Sequence, residues 1–337
     1  MQLKLSTLKK SYKNIIKTTI FISAGILLFL LVYKDVNYKT ILSELKTVNY
    51  LWFIPMFILG VLSHISRSMR WQMLLNSDGS KVRLINTILA VLNGYFANIA
   101  LPRLGEVTRC ALISKYEKQN FSKVLGTMVT ERLTDVLMLG IVTVAAFALQ
   151  SSEIGEFLKN NPELGRKLDN LTSLPIILLF IALAIIGIIF LIKLVKGKFD
   201  HIPIFLKLSL FVKNFWSGII SLKNVKNPIL YILHSFFIWA MYFLMLYVCF
   251  YAFEGFDQLG ILAALTLFVA GSFGMVAPAP NGMGAYHFMI IQTLIIYGIA
   301  AEKAATFALV VHGIQTFMLV INGLLSFILI PIVNKEK

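Results

Sequence analysis

The sequence predicts an all-α polytopic membrane protein, with about six full transmembrane helices and two re-entrant helical hairpins arranged as an inverted repeat. Three observations predict it. Of 337 residues, 58% are hydrophobic and 14% charged, against roughly 45 to 50% apolar and 25% charged in an average soluble domain. Apolar runs near the ~20 residues that a helix needs to cross the hydrocarbon fill most of the chain. The hydrophilic remainder is short: none of residues 34–50, 67–83, 150–172 and 193–227 approaches the ~100 residues of an independent catalytic domain. A single transmembrane domain over residues 1–337 follows.

Charge and cysteine usage fit that class. The net charge of +15 would suggest nucleic acid in a soluble protein, but here it reflects cationic cytoplasmic loops, and no nucleic-acid partner is expected. Cys110 and Cys249, the two cysteines, stand in or near apolar segments and argue against a disulfide framework.

The chain opens with Lys4, Lys9, Lys10, Lys13 and Lys17, then an apolar run over 18–33. With no small-x-small cleavage site before Lys34, this reads as an uncleaved first span with its N-terminus inside. In 34–50, Ile41, Leu42, Leu45 and Val48 share one face of an interfacial helix. A second span, 51–66, ends at Arg67, Arg70 and Trp71, read as a basic and aromatic belt. Further spans follow at 124–149, 173–192, 228–253 and 304–332. Between them 193–227 carries seven lysines, with Phe205, Leu208, Val212, Phe215, Ile219 and Leu222 at helical spacing. That is the pattern of an amphipathic helix lying on an anionic leaflet.

Two apolar segments, 84–101 and 261–280, either cross or dip and return. If both return, 23 of the 31 basic residues lie inside and 7 outside; if both cross, the division is 13 to 17. Only the first obeys the positive-inside tendency. The hairpins then turn near Pro102 and Gly105 and near Pro278 to Gly284, one entering from each side, with both termini cytoplasmic. Non-helical backbone at that depth is tolerated only where protein buries it or it lines a wet cavity. The two halves, about 51–150 and 228–332, also repeat: 51 residues separate Leu51 from Pro102 and 52 separate Pro228 from Pro280. Inverted repeats with broken helices meeting near the midplane are a recurring transporter plan.

The stretch 94–135 reads as one wall of a polar cavity, because it sets Pro102, Arg103, Gly105, Glu106 and Arg109 between apolar segments and Glu131, Arg132 and Asp135 inside one. A charge at the bilayer centre costs about 3 kcal/mol on insertion scales, so such residues face protein or water. Glu131 and Asp135, four apart, share a helix face, and Arg132 reaches Asp135 at a spacing of three.

The motifs Arg67-x-x-Arg70-Trp71, Pro102-Arg103-x-Gly105-Glu106-x-x-Arg109, Glu131-Arg132-x-x-Asp135 and Pro280-Asn281-Gly282-Met283-Gly284 together resemble the lysylphosphatidylglycerol synthase transmembrane (flippase-like) family over nearly the whole chain. The resemblance implies a polytopic inner-membrane (cell-membrane) protein that moves or handles lipids, here a standalone member without the soluble aminoacyltransferase domain of multidomain relatives. The late motif departs from the family's Pro-Gly-Gly-x-Gly-x-x-Glu, with Asn281 for a glycine and His287 at the acidic position.

On that footing Arg103 and Arg109 either offer forked donors to a lipid phosphate or are belt arginines, and Glu106 pairs with one of them. The Glu131, Arg132 and Asp135 cluster is either a charge network tying its span to the Pro102 turn or part of the substrate site. Pro278, Pro280, Gly282 and Gly284 cannot continue a helix. The amides freed in that run, near the start of the returning half-helix, either bind an anion, or the run is a tight turn whose glycines allow close helix packing. Asn281 and His287 are candidate headgroup contacts, His287 alternatively a satisfied core histidine.

No phosphate-binding loop of the Gly-x4-Gly-Lys-Ser/Thr type is present and the five histidines lack close metal-ligand spacing. No catalytic residue, cofactor or metal is therefore assigned. The expected partners are membrane lipids with anionic headgroups and, alternatively, a separate lipid-modifying enzyme. The leading function is transport of a phospholipid or polyprenyl-phosphate lipid between leaflets; the alternative is a membrane component of lipid modification, aminoacyl-phosphatidylglycerol synthase-like or a polyprenyl-linked glycosyltransferase.

Overall fold

A computed structural model describes residues 23, 25–34, 38–150, 193, 222–277 and 279–335. The expected span 173–192, most of the amphipathic stretch 193–227, the start of the first span and Pro278 lie outside the described residues. Every element among the described residues is helical. In chain order these are α1 (25–33), α2 (Tyr38–Thr47), α3 (Phe53–Leu75), α4 (Leu84–Ala100), α5 (Leu104–Tyr116), α6 (Phe121–Leu149), α7 (Pro228–Val248), α8 (Gly260–Val276), α9 (Ala285–Ile296) and α10 (Ala301–Val333). Local sequence sets several of these starts. Asn120 accepts from the amides of Ser122 and Lys123 to cap α6, and Asn227 accepts from Leu230 to cap α7, whose first residue is a proline.

Among the described residues five stretches are long and apolar enough to cross a membrane: Tyr50–Leu75, Phe121–Leu149, Pro228–Ala252, Asp257–Val276 and Ala301–Val333. The protein is a multi-pass helical membrane protein. Two expectations change. The second span does not stop at residue 66; its helix continues to Leu75. The 261–280 segment, expected only to dip, is itself long and apolar enough to cross, although the chain folds back from it directly into α9.

Polar clasps divide the helix termini between two ends of the bundle. At one end Lys123 pairs with Asp78, Arg83 pairs with Glu117 at 3.0 Å, and Arg83 and Asn86 both donate to Asn334 near the end of α10. At the other, the Asn49 amide donates to the Ala252 carbonyl at 2.9 Å, Gln150 bonds Thr266 and Tyr297 at 2.6 Å each, and Lys303 reaches the Glu254 carbonyl. Because 83 and 117 are clasped together, the α4–α5 hairpin begins and ends at the first end. By the same reasoning α8–α9 begins and ends at the second. The two hairpins thus open at opposite ends of the bundle, and the turn of the second (Pro280–Gly282) packs against α4 of the first.

Close backbone approach holds the hairpins shut. A Cβ on Gly105 would lie 2.0 Å from the Gly94 carbonyl oxygen, so only glycine lets α5 meet α4 there. Small residues serve this purpose where lipid removes the hydrophobic drive between helices. In the second hairpin a Cβ on Gly274 of α8 would lie 2.7 Å from the Tyr286 Cα of α9, and Gly284, at φ +81, lets the turn pack against α1, where a Cβ would lie 2.8 Å from the Phe29 amide nitrogen.

Candidate functional site

Ionised side chains converge where α3, α5 and α6 meet. Arg67 and Arg70 lie one turn apart on α3, and Glu131 and Asp135 one turn apart on α6, so each pair presents one face. Arg67 places Nε 2.6 Å from Glu131 Oε1 and Nη2 2.5 Å from Asp135 Oδ2. Arg70 donates from Nη2 to Asp135 Oδ1 at 2.6 Å and from Nη1 to the Ser235 hydroxyl at 3.1 Å. Arg109 of α5 reaches the other Glu131 oxygen at 2.8 Å and lies 4.6 Å above the Trp71 ring, a cation–π contact. Arg70 and Glu131 are fully buried, and Arg67 and Arg109 nearly so.

At the rim Arg132 bonds Glu106 at 3.0 Å and stands 4.0 Å from Asp135. Exposure rises along this line, from 0% at Glu131 through 15% at Asp135 and 19% at Glu106 to 39% at Arg132. The cluster is therefore sealed at one side and open at the other. Among the described residues four guanidiniums face three carboxylates, which leaves one positive charge unmatched there. Nε and Nη2 of Arg109 and Nε of Arg70 are buried without a hydrogen-bond partner among the described residues, as are both ring nitrogens of His64. The His64 ring lies tilted against that of Tyr95, 4.5 Å away, whose hydroxyl meets that of Tyr242 at 3.1 Å; Tyr242 in turn accepts from Arg67 at 3.2 Å. Removing ions from water costs several kcal/mol each unless their charge and donors are answered, and among the described residues one charge and several donors here are not.

The structure brings Glu106, Arg109, Glu131, Arg132 and Asp135 together, and corrects two readings around them. Arg67, Arg70 and Trp71 do not form an interfacial belt: all three are buried, because α3 continues past residue 66 alongside the carboxylates of α6. Glu106 pairs with Arg132 rather than with Arg103 or Arg109, since the turn of α5 on which it sits faces α6. Arg103 stands apart from the cluster, exposed at the turn of the first hairpin with φ +65, and makes no ion pair among the described residues. Sequence reading also passed over His64, Tyr95 and Tyr242. The available signal was the i, i+3 arginine pair beside Trp71, two cations matching two carboxylates four apart.

Asn281 and His287 belong to a second group at the other hairpin. Asn281 takes a left-handed conformation (φ +49); its side chain donates to Thr316 at 2.8 Å and its carbonyl accepts from His312 Nε2 at 2.9 Å. His287 is 2% exposed, accepts the Gly284 amide on Nδ1 at 3.3 Å, and lies with its ring 4.6 Å from that of His312. The amides of Gly282 and Met283 are bonded to Ala279 and Pro280. With Gly284 capped as well, those three turn amides are spoken for, as in a tight turn. Among the described residues no three His, Cys, Asp or Glu are placed to hold a metal ion.

The family described as Lysylphosphatidylglycerol synthase TM region matches residues 14–323. No curated protein matches the chain.

Proposed function

The chain belongs to the lysylphosphatidylglycerol synthase transmembrane family, as a membrane protein of lipid metabolism or transport, and on that premise we propose that it carries an anionic lipid headgroup between leaflets. The headgroup, of a phospholipid or a polyprenyl phosphate, engages Arg132 at the open side of the charged cluster and the idle donors of buried Arg109 behind it, while its chains stay in the bilayer. The observation that carries this reading is the buried excess of one positive charge together with the idle donors of Arg109. A phosphate supplies forked acceptors of the kind those donors lack.

The topology proposed with it is an inverted repeat. At 1.5 Å per residue α4 and α5, with 17 and 13 residues, span about 26 and 20 Å, short of the ~30 Å hydrocarbon. Helices of that length turning back on themselves suit re-entrant hairpins. The excess of basic residues then puts the Asp78–Lys123 end in the cytoplasm, in the inner membrane.

The test is translocation of fluorescent phosphatidylglycerol by purified full-length protein in phosphatidylcholine vesicles. Arg109→Gln and Arg132→Gln should each slow it by at least tenfold, on the order of the ~1.5–3 kcal/mol carried by a charged hydrogen bond. Wild-type vesicles no faster than protein-free ones, or variants as fast as wild type, would overturn the reading.

A further inference from the structure

The second hairpin repeats the register of the first with its charges rewritten. Counted from the turn prolines Pro102 and Pro280, Arg109 and His287 both stand seven residues on, and Glu106 and Gly284 both four. Counted from the first residues of α6 and α10, Phe121 and Ala301, Arg132 matches His312 at eleven, Glu131 matches Val311 at ten, and Asp135 matches Gln315 at fourteen. Likewise Arg67 and Tyr242 are each fourteen past the start of α3 and α7, and they touch at 3.2 Å, as equivalent residues beside a two-fold axis would. Both rim or hairpin arginines become histidines, and all three carboxylates become uncharged.

The two imidazoles are close, with ring centroids 4.6 Å apart. A carbonyl oxygen only accepts, so His312 carries its proton on Nε2 toward Asn281 and leaves Nδ1 bare. His287 accepts an amide on Nδ1 and so carries its proton on Nε2. Neither His312 Nδ1 nor His287 Nε2 has a hydrogen bond among the described residues. The titratable groups around the pair are Tyr33 from α1, Tyr286 from α9 and, beyond Tyr286, Cys249 at the end of α7. No carboxylate or guanidinium faces either ring among the described residues.

We propose that His287 and His312 form a second, proton-dependent subsite for the anionic headgroup, the counterpart on the second hairpin of Arg109 and Arg132 on the first. It rests on the lipid-carrying function proposed above. Neutral, the pair offers an anion little. Protonated, it becomes a buried cation with no counter-ion, a state that an arriving phosphate stabilises and its departure undoes. Protonation of His287 at Nδ1 also ends its acceptance of the Gly284 amide, which frees that donor for the phosphate. Proton and headgroup therefore bind with positive linkage, and by reciprocity each raises the affinity for the other.

The experiment counts protons. Phosphatidylglycerol is titrated into the detergent-solubilised full chain in calorimetry buffers of different ionisation enthalpy. The wild type should take up about one proton per lipid and bind about tenfold more tightly at pH 6 than at pH 8. The double variant His287→Gln/His312→Gln keeps an acceptor for Gly284 and a donor for Asn281 but cannot titrate, and should lose both effects. Either no proton uptake by the wild type, or uptake and pH dependence persisting in the double variant, would overturn the inference. If the wild type binds and Arg109→Gln does not, yet no proton is taken up, the inference alone fails. If the wild type binds at neither pH, the proposed function fails with it.

Discussion

The first hairpin and the second solve the same packing problem with opposite electrostatics. Both fold a helix back on itself, both rely on glycine at the closest approach, and both open at one end of the bundle. The first then sets permanently charged guanidiniums against carboxylates inside the helix bundle, whereas the second sets two imidazoles among aromatic rings and amides. An arginine cannot be discharged in a protein, so its burial demands fixed counter-charges. A histidine can shed its proton, and among the described residues no carboxylate faces either ring. Equivalent positions therefore do different jobs: the first half holds charge, and the second can acquire it.

The difference predicts unequal damage from matched substitutions. Glu131→Gln leaves three buried guanidiniums facing one carboxylate, and should destabilise the folded protein by about 3–5 kcal/mol, read as a large drop in thermal midpoint in detergent. Replacing Arg109 by Gln in the same molecule should recover part of that loss, because it removes the cation that Glu131 answers. Gly105→Ala comes next: backbone meets the new methyl at 2.0 Å, and forcing the helices apart costs typically about 1–3 kcal/mol. On the second hairpin His287→Leu should cost less than Glu131→Gln, about 1–3 kcal/mol for an orphaned Gly284 amide, while His287→Gln should restore most of it. Equal losses at Glu131 and His287 would break the comparison.

How much of this was legible in the sequence follows the same division. Glu131 and Asp135 announce themselves, because two carboxylates four apart in an apolar run must be answered by protein or water, as a structural network or a site, and their shared face follows from helical period alone. The turns at Pro102 and Pro280 were legible from helix breakers. Arg67 and Arg70 were misread because a span counted at the minimum length ends before them, and a basic pair at the end of an apolar run is what an interface produces. Only the packing of α3 against α6 shows them to be inside. The partner of Glu106 was equally invisible, since rotation about the α5 axis decides between arginines close by in sequence and Arg132 on another helix. The pairing of His287 with His312 depends on α9 meeting α10, which no local pattern encodes.

The smallest expected effect separates the bases of the two hairpins. The first is clasped by charge, with Lys123 on Asp78 and Arg83 on Glu117; the second is clasped by the neutral trio Gln150, Thr266 and Tyr297. The Lys123 hydrogen bond, helped by Ser80, holds the Asp78 carboxyl at about 2, below its ordinary 3.8. A depressed carboxyl stabilises the folded state at pH above its ordinary value, and that contribution drains away as pH falls from about 4 through about 2. Asp78 is half exposed, so solvent screening holds the pair to a few tenths of a kcal/mol. Asp78→Asn should therefore shift the thermal midpoint slightly at pH 7 and still less at pH 2. Amide protection, corrected for intrinsic exchange at each pH, should fall in the same acid range at residues 78–83 and 117–123 while staying constant at 297–303, where among the described residues no carboxylate side chain closes the clasp. Acid loosening of both bases alike would mean that the second is not held as a neutral clasp.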